Sequence, residues 1–434
     1  MTTWKIVNAK DSSGKSQEVL IHDEFVVASL PDGVTPTVVD ATGLTVLPGF
    51  VDLHTHLREP GREDAETVLS GSQAAVAGGY TAISAMPNTL PVADTAGVVE
   101  QVYRLGKSHG LCDVFPIGAV TIDQKGAQLA ELSAMHQSEA GVRIFSDDGH
   151  CVADPLVMRR ALEYVKTFDG LIAQHAQDPR LTENSQMNEG AVSARLGLKG
   201  WPAVAEEAII ARDVLLAEHV DSRLHICHLT TAGGVEIVRR AKERGIKVTA
   251  EVTPHHLLLT DSKAESYDPV YKVNPPLRTN SDVEALRRGL ADGTIDIIAT
   301  DHAPHPNEAK DCEWSAAAFG MIGLETAFSI GYLTMVKSGL MSLEDLTDRM
   351  SSAPAKIGRY EGHGSIKVGE KANLVLVDLE KSWQVKRDYL HSKSKNTPFE
   401  GMELPGVIMK TFHNGALVFD RATTGELLKN KGVK

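Results

Sequence analysis

Two histidines, His54 and His56, stand two positions apart at the end of a short apolar segment that follows a Pro-Gly turn. In an extended strand, side chains at this spacing point to the same side, and their α-carbons lie about 6.6 Å apart. Both imidazoles can therefore bind one metal ion such as zinc. The alternative is two exposed loop histidines, because the chain has 17 histidines and such a pair also arises by chance. The position of the pair, where a strand meets a polar loop, favours a metal site.

Other residues of types that bind metals also follow predicted strands. Asp147 and Asp148 follow the fourth strand, His175 the fifth, His228 the sixth and Asp301 the eighth. Singly, each has an ordinary explanation as a core histidine, a helix cap or a turn. Together they predict one metal centre, because barrel active sites lie at the C-terminal ends of the strands. Their number suits two adjacent metals that share an oxygen ligand. The histidines predicted to support the ligands or the structure are His225, His255, His256 and His302.

The elements that must position these residues are short apolar strands that alternate with segments of helical spacing. Eight such units predict a (β/α)8 TIM barrel. An open doubly wound sheet is the alternative, but no GxGxxG pattern follows the first strand. The predicted strands are 49–56, 79–86, 113–120, 141–147, 171–175, 223–229, 247–253 and 295–301.

The two ends of the chain differ from this pattern, since they carry short alternating segments separated by turn signals such as Asn414-Gly415. Neither end is long enough for a β core of its own. We therefore expect one small β-sandwich domain built from both termini. Residues 1–48 form its N-terminal part, residues 49–354 the metal-dependent barrel, and residues 355–434 its C-terminal part and a polar tail.

The overall composition restricts the possible partners. The net charge of −13 makes nucleic acid and anionic membranes unsuitable partners. The sequence has no apolar run long enough to span a membrane and no signal peptide pattern. Its four cysteines show no paired spacing, which is typical of reduced thiols. We therefore predict a cytoplasmic protein.

Residues in the loops beside the predicted metal centre indicate an anionic substrate. Arg58 follows His56 by two positions and can bind a carboxylate with two hydrogen bonds, although a surface salt bridge is the alternative. Asn88 ends the second strand and can donate to the same carboxylate. The polar segment 302–320 has no predicted structure, as is common for binding loops. The remaining candidates are Asn274 after the seventh strand, His305 after the eighth, and Phe319 and Gly320, whose backbone groups can contact a small ring.

With these motifs, the sequence resembles the amidohydrolase superfamily, and specifically the class I dihydroorotases. The resemblance covers essentially the whole chain and implies the same barrel with a small β domain from both termini. It implies metal ligands at His54, His56, His175, His228 and Asp301, and substrate contacts at Arg58, Asn88, Asn274, His305 and, less firmly, Phe319 and Gly320. Its most specific segments are 48–60, 86–89, 145–149, 253–256, 272–278 and 299–305.

The group that bridges the two metals separates the subgroups of this superfamily. Many relatives, including hydantoinases, use a carboxylated lysine near the end of the fourth strand, where this chain has Arg143 and no lysine. The resemblance to class I dihydroorotases implies that Asp148 takes this role, and Asp147 is the alternative. The expected cofactor is Zn²⁺, with one or two ions per chain.

The resemblance implies the reversible cyclisation of N-carbamoyl-L-aspartate to L-dihydroorotate in de novo pyrimidine biosynthesis. Asp301 is expected to move the proton of the attacking water to the leaving nitrogen, and Arg58, Asn88 and His305 to hold the substrate carboxylate. The alternatives are another cyclic-amide hydrolase, such as a hydantoinase or allantoinase, and a silent scaffold that binds aspartate transcarbamoylase. The complete ligand set favours an active enzyme. It leaves open assembly with a transcarbamoylase or into a homo-oligomer.

Overall fold

The computed structural model describes residues 2–423, so most of the predicted polar tail lies outside the described residues. The strands, in chain order, are β1 (Thr3–Lys10), β2 (Ser16–His22), β3 (Phe25–Val27), β4 (Thr37–Asp40), β5 (Thr45–Pro48), β6 (Phe50–Thr55), β7 (Tyr80–Ala85), β8 (Asp113–Pro116), β9 (Ile144–Phe145), β10 (Leu171–Gln174), β11 (Met187–Asn188), β12 (Gly200–Trp201), β13 (Arg223–Ile226), β14 (Val248–Val252), β15 (Ile297–Ile298), β16 (Leu374–Gln384), β17 (Glu403–His413) and β18 (Ala416–Asp420). The α-helices are α1 (Val68–Ala77), α2 (Ala96–His109), α3 (Leu132–Gln137), α4 (Pro155–Lys166), α5 (Ala191–Leu196), α6 (Val204–Val220), α7 (Ala232–Glu243), α8 (Asn280–Asp292), α9 (Asn307–Lys310), α10 (Ala327–Gly331), α11 (Leu343–Met350) and α12 (Ser352–Gly358).

The central part of the chain is an α/β structure with parallel sheets. Strands β6, β7 and β8 form one sheet, and β9, β10, β13, β14 and β15 form another in that order. Two isolated parallel bridges connect these sheets, one between Gly118 and Phe145 and one between Thr55 and His302. Each predicted strand of this region is present. Most are shorter than predicted, because their C-terminal residues leave the ladder and turn into polar loops.

Apolar side chains cover both faces of these sheets. Neighbouring strand residues such as Ala82 and Ile83, or Leu171 and Ile172, belong to different buried clusters, because successive side chains point to opposite faces. The helices between the strands bury their apolar sides in the larger cluster. Local signals fix the helix starts; for example, the Asp154 carboxylate accepts the first free N–H groups of α4. No helix of the described chain is both long and apolar enough to cross a membrane.

Strands from the two ends of the chain form a further sheet. Its order is β18-β17-β16-β5-β1-β2-β3, and β4 also pairs with β1. The antiparallel pair β5–β16, which aligns Pro48 with Leu374, joins the N-terminal and C-terminal strands. Strand β5 is absent from the sequence prediction, because its residues adjoin the Pro-Gly turn signal. One face of the sheet buries an apolar cluster that includes Ile6, Ile21 and Phe412.

Candidate active site

Four of the predicted metal ligands meet in one buried group: His54, His56, Asp148 and Asp301, whose ligand atoms all lie within 4.8 Å of one another. Nε2 of His56 lies 3.0 Å from Oδ1 of Asp301 and 3.4 Å from Oδ2 of Asp148. Nε2 of His54 lies 3.4 Å from the same two oxygens. The loops after β6, β9 and β15 thus bring together residues that are far apart in sequence.

Asp148 also belongs to a second buried group, with His175 and His228. Its Oδ1 lies 3.2 Å from Nδ1 of His175 and 3.1 Å from Nε2 of His228. The two oxygens of one carboxylate therefore face two different sets of ligands. This is the arrangement that a carboxylate bridging two cations requires.

The neighbouring Asp147 has a different environment. One of its oxygens accepts the backbone N–H groups of Val120 and Thr121, at 2.8 and 3.0 Å, and the other accepts the Thr121 hydroxyl. Burial raises the pKa of Asp147 to about 6. The sequence did not decide which of the two aspartates bridges the metals. Of the two, only Asp148 lies in the ligand groups, while Asp147 holds the loop at residues 120–121 through hydrogen bonds.

The donor set fits a metal cation. In three of the imidazoles, the outward ring nitrogen, which points away from the ligand groups, faces an amide or carboxylate oxygen. The outward nitrogen therefore carries the proton, and the inward nitrogen, which points into the ligand groups, has a lone pair. These lone pairs face carboxylate oxygens across the groups, and the buried Nε2 of His54 has no hydrogen-bond partner. A cation between them removes this repulsion. The outward pairs are His54 Nδ1 with Glu251 Oε1 at 2.5 Å, His56 Nδ1 with Asn88 Oδ1 at 2.8 Å, and His175 Nε2 with Gln177 Oε1 at 2.7 Å.

The electrostatics of the groups also favour a cation. Burial by itself raises the pKa of Asp148, but the contacts of its carboxylate with His54, His175 and His228 hold this pKa well below its usual value. The pKa of Asp301 is lowered for similar reasons, since His54 and His56 outweigh its burial. Both carboxylates therefore stay ionised at neutral pH in a dry environment, where they attract a cation strongly.

The backbone turns sharply at three residues of the site. Arg58, His228 and Asp301 have φ angles of 62°, 29° and 45°. Residues other than glycine adopt this left-handed region rarely and at a cost in conformational energy. Such strained positions are typical of functional sites, and here they aim three polar side chains back across the ends of the strands.

Glu251 is a candidate functional residue that the sequence interpretation did not include. Its Oε1 accepts from Nδ1 of His54 and from the backbone N–H of His228 at 3.1 Å, and its Oε2 accepts from Nε2 of His225 at 3.0 Å. One carboxylate thereby orients two candidate ligands. The available signal was a carboxylate inside the apolar strand β14, because a buried charge needs partners.

Replacement of Glu251 by glutamine tests this orienting role. The amide retains the shape, but it turns an N–H donor toward either His54 or His225, each of which also presents N–H. We expect the affinity for a divalent metal ion to fall about 10- to 100-fold, as is usual when a partner of a metal-binding histidine is changed. Competition with a chelator measures this affinity, and Glu236→Gln on the exposed side of α7 is the control. Unchanged metal affinity in folded Glu251→Gln would refute the role.

Arg58 is buried beside the ligand groups. Its Nε donates to the backbone oxygen of Pro304 at 3.1 Å, and a terminal nitrogen lies 3.5 Å from Nε2 of His305. Within residues 2–423, no carboxylate forms an ion pair with this guanidinium. Burial lowers the pKa of Arg58 to about 10, so the side chain is still a cation at neutral pH. It therefore offers an anion-binding site, because a buried charge is unfavourable without a counter-charge.

His305, Phe319 and Gly320 lie together beside Arg58. Nε2 of His305 donates to the backbone oxygen of Phe319 at 2.7 Å, and its buried Nδ1 has no partner. Burial and the charge of Arg58 lower the pKa of His305 to about 3, so the ring is neutral. Gly320 has a φ of 143°, and a Cβ there would lie 2.8 Å from the His305 ring. The backbone N–H and oxygen of Gly320 already have partners within the protein, so they are not available to a substrate. Phe319 and Gly320 instead shape the wall of the site by fixing His305.

The two predicted asparagines face the same region. The amide oxygen of Asn88 accepts from His56. The amide nitrogen of Asn274 donates to Oε1 of Gln177 at 3.2 Å, while its buried amide oxygen has no partner. Gln177 thereby connects Asn274 with His175, a link that the sequence interpretation missed. Its position two residues after a strand-end histidine was the only available signal.

The remaining histidines near the site differ in their surroundings. His225 contacts Glu251, and His255 is buried with an unpartnered Nε2. His256 bridges Thr253 and the backbone oxygen of Pro275, and His302 faces Glu66 at 3.3 Å. None of these four belongs to the two ligand groups of the described residues that contain Asp148.

Comparisons with known proteins indicate the family of the chain. The family model described as dihydro-orotase-like matches residues 43–233. A dihydroorotase of Streptomyces coelicolor is 64% identical over 419 residues, which cover 96% of this chain and 98% of the relative. A dihydroorotase of Mycobacterium tuberculosis is 53% identical over 406 residues, covering 93% and 94%. Among solved structures, the L-hydantoinase (dihydropyrimidinase) of Arthrobacter aurescens superposes with a TM-score of 0.86 at 27% identity, covering 99% and 98%.

The parallel sheets, the buried histidine and aspartate groups and these similarities define an enzyme of the amidohydrolase superfamily. Within that superfamily, relatives of this identity extend over nearly the full length of the chain. The chain belongs to the dihydroorotase family.

Proposed function

We propose that this enzyme opens the ring of L-dihydroorotate to N-carbamoyl-L-aspartate and catalyses the reverse cyclisation. The names of its relatives imply this reaction. The structural observation that carries the proposal is the buried guanidinium of Arg58, which has no carboxylate partner among the described residues and lies beside the ligand groups. An anion-binding site next to a site for hydrolysing an amide matches a cyclic amide that carries a carboxylate.

Zinc is the metal that we propose for this site, with one or two ions per chain. His54, His56 and Asp301 would hold one ion, His175 and His228 the other, and Asp148 both. When bound, zinc activates water as a nucleophile and polarises the amide carbonyl. Histidine nitrogens and carboxylate oxygens are ligands that zinc prefers, which supports this choice.

The side chains then have separate roles in the proposed reaction. The ionised Asp301 accepts a proton from the attacking water and passes it to the ring nitrogen as the C–N bond breaks. Arg58 binds the substrate carboxylate, and the amide nitrogen of Asn88 donates to it. His305 was predicted to hold the carboxylate as well, but its ring donates through Nε2 to Phe319 and has only an acceptor at Nδ1, so we assign it to the rest of the ring. Asn274 borders the ring too, and Phe319 and Gly320 form part of the wall. These contacts fix which amide of the substrate faces the nucleophile.

Hydrolysis assays on the purified chain test this function, with L-dihydroorotate, hydantoin and allantoin as substrates and metal analysis of the same sample. We expect turnover of dihydroorotate with one to two zinc ions per chain. Turnover of hydantoin or allantoin instead would favour the alternative activities. Arg143, in place of the lysine of hydantoinases, argues against them. Zinc without activity would point to a required partner, and neither zinc nor activity to a scaffold.

Loss of the Arg58 guanidinium should affect substrate binding selectively. In Arg58→Met the carboxylate loses charged hydrogen bonds worth about 3 kcal/mol, so kcat/KM for dihydroorotate should fall about 100-fold. Zinc content should not change, because Arg58 is not a ligand. The matched control is Arg62→Met, an exposed arginine in the same loop. An unchanged kcat/KM in Arg58→Met would remove Arg58 from the binding site.

We also propose that the eight parallel strands β6–β10 and β13–β15 close into a (β/α)8 barrel. The two bridges at Gly118–Phe145 and Thr55–His302 support this closure, since they join the two sheets at both ends. The barrel would occupy residues 49–354, and residues 1–48 and 355–434 would supply a small β-sandwich. The sheet shared by the two chain ends supports this division.

A cytoplasmic location, a homo-oligomer and assembly with aspartate transcarbamoylase stay predictions from the sequence. A pull-down with a transcarbamoylase tests the last of these, and light scattering of the purified chain tests the second. The small-molecule substrate follows from the family.

A further inference from the structure

Gly320 is held through both of its backbone polar groups. Its N–H donates to the backbone oxygen of Lys272 at 3.0 Å. Its own backbone oxygen accepts from Nζ of Lys310 at 3.0 Å and from the amide nitrogen of Asn396 at 3.2 Å. These contacts join the segment next to Phe319 to two side chains that the proposed reaction does not use.

Asn396 connects two parts of the proposed substrate site. It lies in the C-terminal segment between β16 and β17, and it is only 5% exposed. Its amide nitrogen also donates to the backbone oxygen of Ala303 at 3.0 Å, and its amide oxygen accepts the backbone N–H of His305 at 3.2 Å. One side chain thus ties segment 303–305 to Gly320 with three hydrogen bonds.

Lys310 connects the third part of the site. Its ammonium donates to the backbone oxygens of Lys272, Ala318 and Gly320 at 3.0, 2.8 and 3.0 Å. These three acceptors match the three N–H groups of an ammonium, while burial and the charge of Lys272 lower the pKa of Lys310 to about 7. Lys310 therefore fixes segment 318–320 against residue 272, which lies two positions before Asn274.

We infer that Lys310 and Asn396 are positioning residues. They fix the three substrate-binding segments 272–274, 303–305 and 318–320 relative to one another. This inference rests on the proposed function, because it assigns the substrate contacts to those segments. Neither side chain belongs to the metal-ligand groups of the described chain, so both act through the backbone of others. The C-terminal segment thereby contributes to substrate binding from outside the proposed barrel.

The contacts of His305 show how this effect reaches the substrate. The His305 ring donates to the backbone oxygen of Phe319 and packs against Gly320. If Gly320 loses its anchors, the imidazole loses its support and its position relative to Arg58. A displacement of about 1 Å is enough to weaken binding considerably. The ligand groups should be unaffected, because their hydrogen bonds run through other residues.

Kinetics of Lys310→Met and Asn396→Asp test the inference. The aspartate is isosteric but replaces the two donated hydrogen bonds by repulsion between oxygens. For each variant we expect KM for L-dihydroorotate to rise about 10-fold or more and kcat to change less than about threefold. Zinc content should stay at the wild-type level. Lys310→Arg keeps N–H donors, and Lys310 borders a surface cavity of about 580 Å³ that can accept the longer chain, so KM should largely recover.

Lys395→Met is the matched control, because its ammonium donates to the backbone oxygens of Leu390 and Ser392 within its own segment. Its KM should equal that of the wild type. A general loss of folded protein would lower kcat and leave KM unchanged. Unchanged KM in both Lys310→Met and Asn396→Asp would overturn the inference, and Asn396→Asp alone decides if Lys310→Met does not fold. A wild type with neither zinc nor activity on dihydroorotate would overturn the proposed function instead.

Discussion

Asp301→Asn is expected to abolish turnover of dihydroorotate, with kcat at least about 1,000-fold below the wild type. The amide cannot accept the proton of the attacking water and cannot return it to the leaving nitrogen. The amide oxygen still lies next to Nε2 of His56, so most of the zinc should stay bound. Asp301 is buried where His54 and His56 converge. The other carboxylate of the two described ligand groups, Asp148, lies in the bridging position.

Steady-state kinetics and metal analysis on the same sample measure this effect. Asp311→Asn, in an exposed position of the following loop, serves as the control and should behave as the wild type. Near-normal kcat in Asp301→Asn would exclude the residue as the proton carrier. Loss of zinc together with activity would show that Asp301 acts mainly as a ligand.

The second large effect concerns Asp148, whose two oxygens face the two ligand groups. In Asp148→Ala both groups lose an anionic ligand, and the histidine nitrogens lose the charge that draws a cation between them. We expect bound zinc to fall below one ion per chain and kcat to fall at least about 1,000-fold, since nucleophile activation depends on the metal. Metal analysis after dialysis measures the first effect, and hydrolysis of dihydroorotate the second.

Asp147→Ala is the matched control, the same change one residue earlier. Here the backbone N–H groups of Val120 and Thr121 lose their acceptor. The free energy of unfolding should fall by about 1–3 kcal/mol, because buried donors are left unpaired. Zinc content should remain at the wild-type level. The opposite pattern, with zinc lost in Asp147→Ala and kept in Asp148→Ala, would make Asp147 the bridging ligand.

The parallel strands could be predicted because buried strands are rich in apolar β-branched residues and are bounded by turns. The meeting of His54, His56, Asp148 and Asp301 could be predicted for a related reason, since polar side chains at several strand ends are difficult to explain by packing. Strand ends were less accurate: β15 is only Ile297–Ile298, and Asp301 lies in the turn beyond it. Histidine and aspartate residues thus indicated metal binding even where the end of the strand before them was predicted inaccurately.

Other parts of the site could not be predicted from the sequence because they depend on tertiary packing. Glu251, Lys310 and Asn396 act through hydrogen bonds to distant residues, and nothing next to them in sequence indicates those partners. The choice between Asp147 and Asp148 depends on how one turn directs two adjacent side chains. Strand β5 depends on its pairing with β16, which only the folded chain provides.

The sheet formed by both chain ends has a consequence for synthesis of the polypeptide. Strands β1–β5 leave the ribosome before the whole parallel region, whereas β16, which pairs with β5 at Leu374, leaves after it. Until then β5 presents an unpaired edge, which invites association with other nascent chains. A polypeptide that ends before β16 can never cover that edge. Pairing of β5 with β16 thus distinguishes chains that contain β16 from chains that stop before it, and chaperones and proteases would encounter the shorter chains with this edge still exposed.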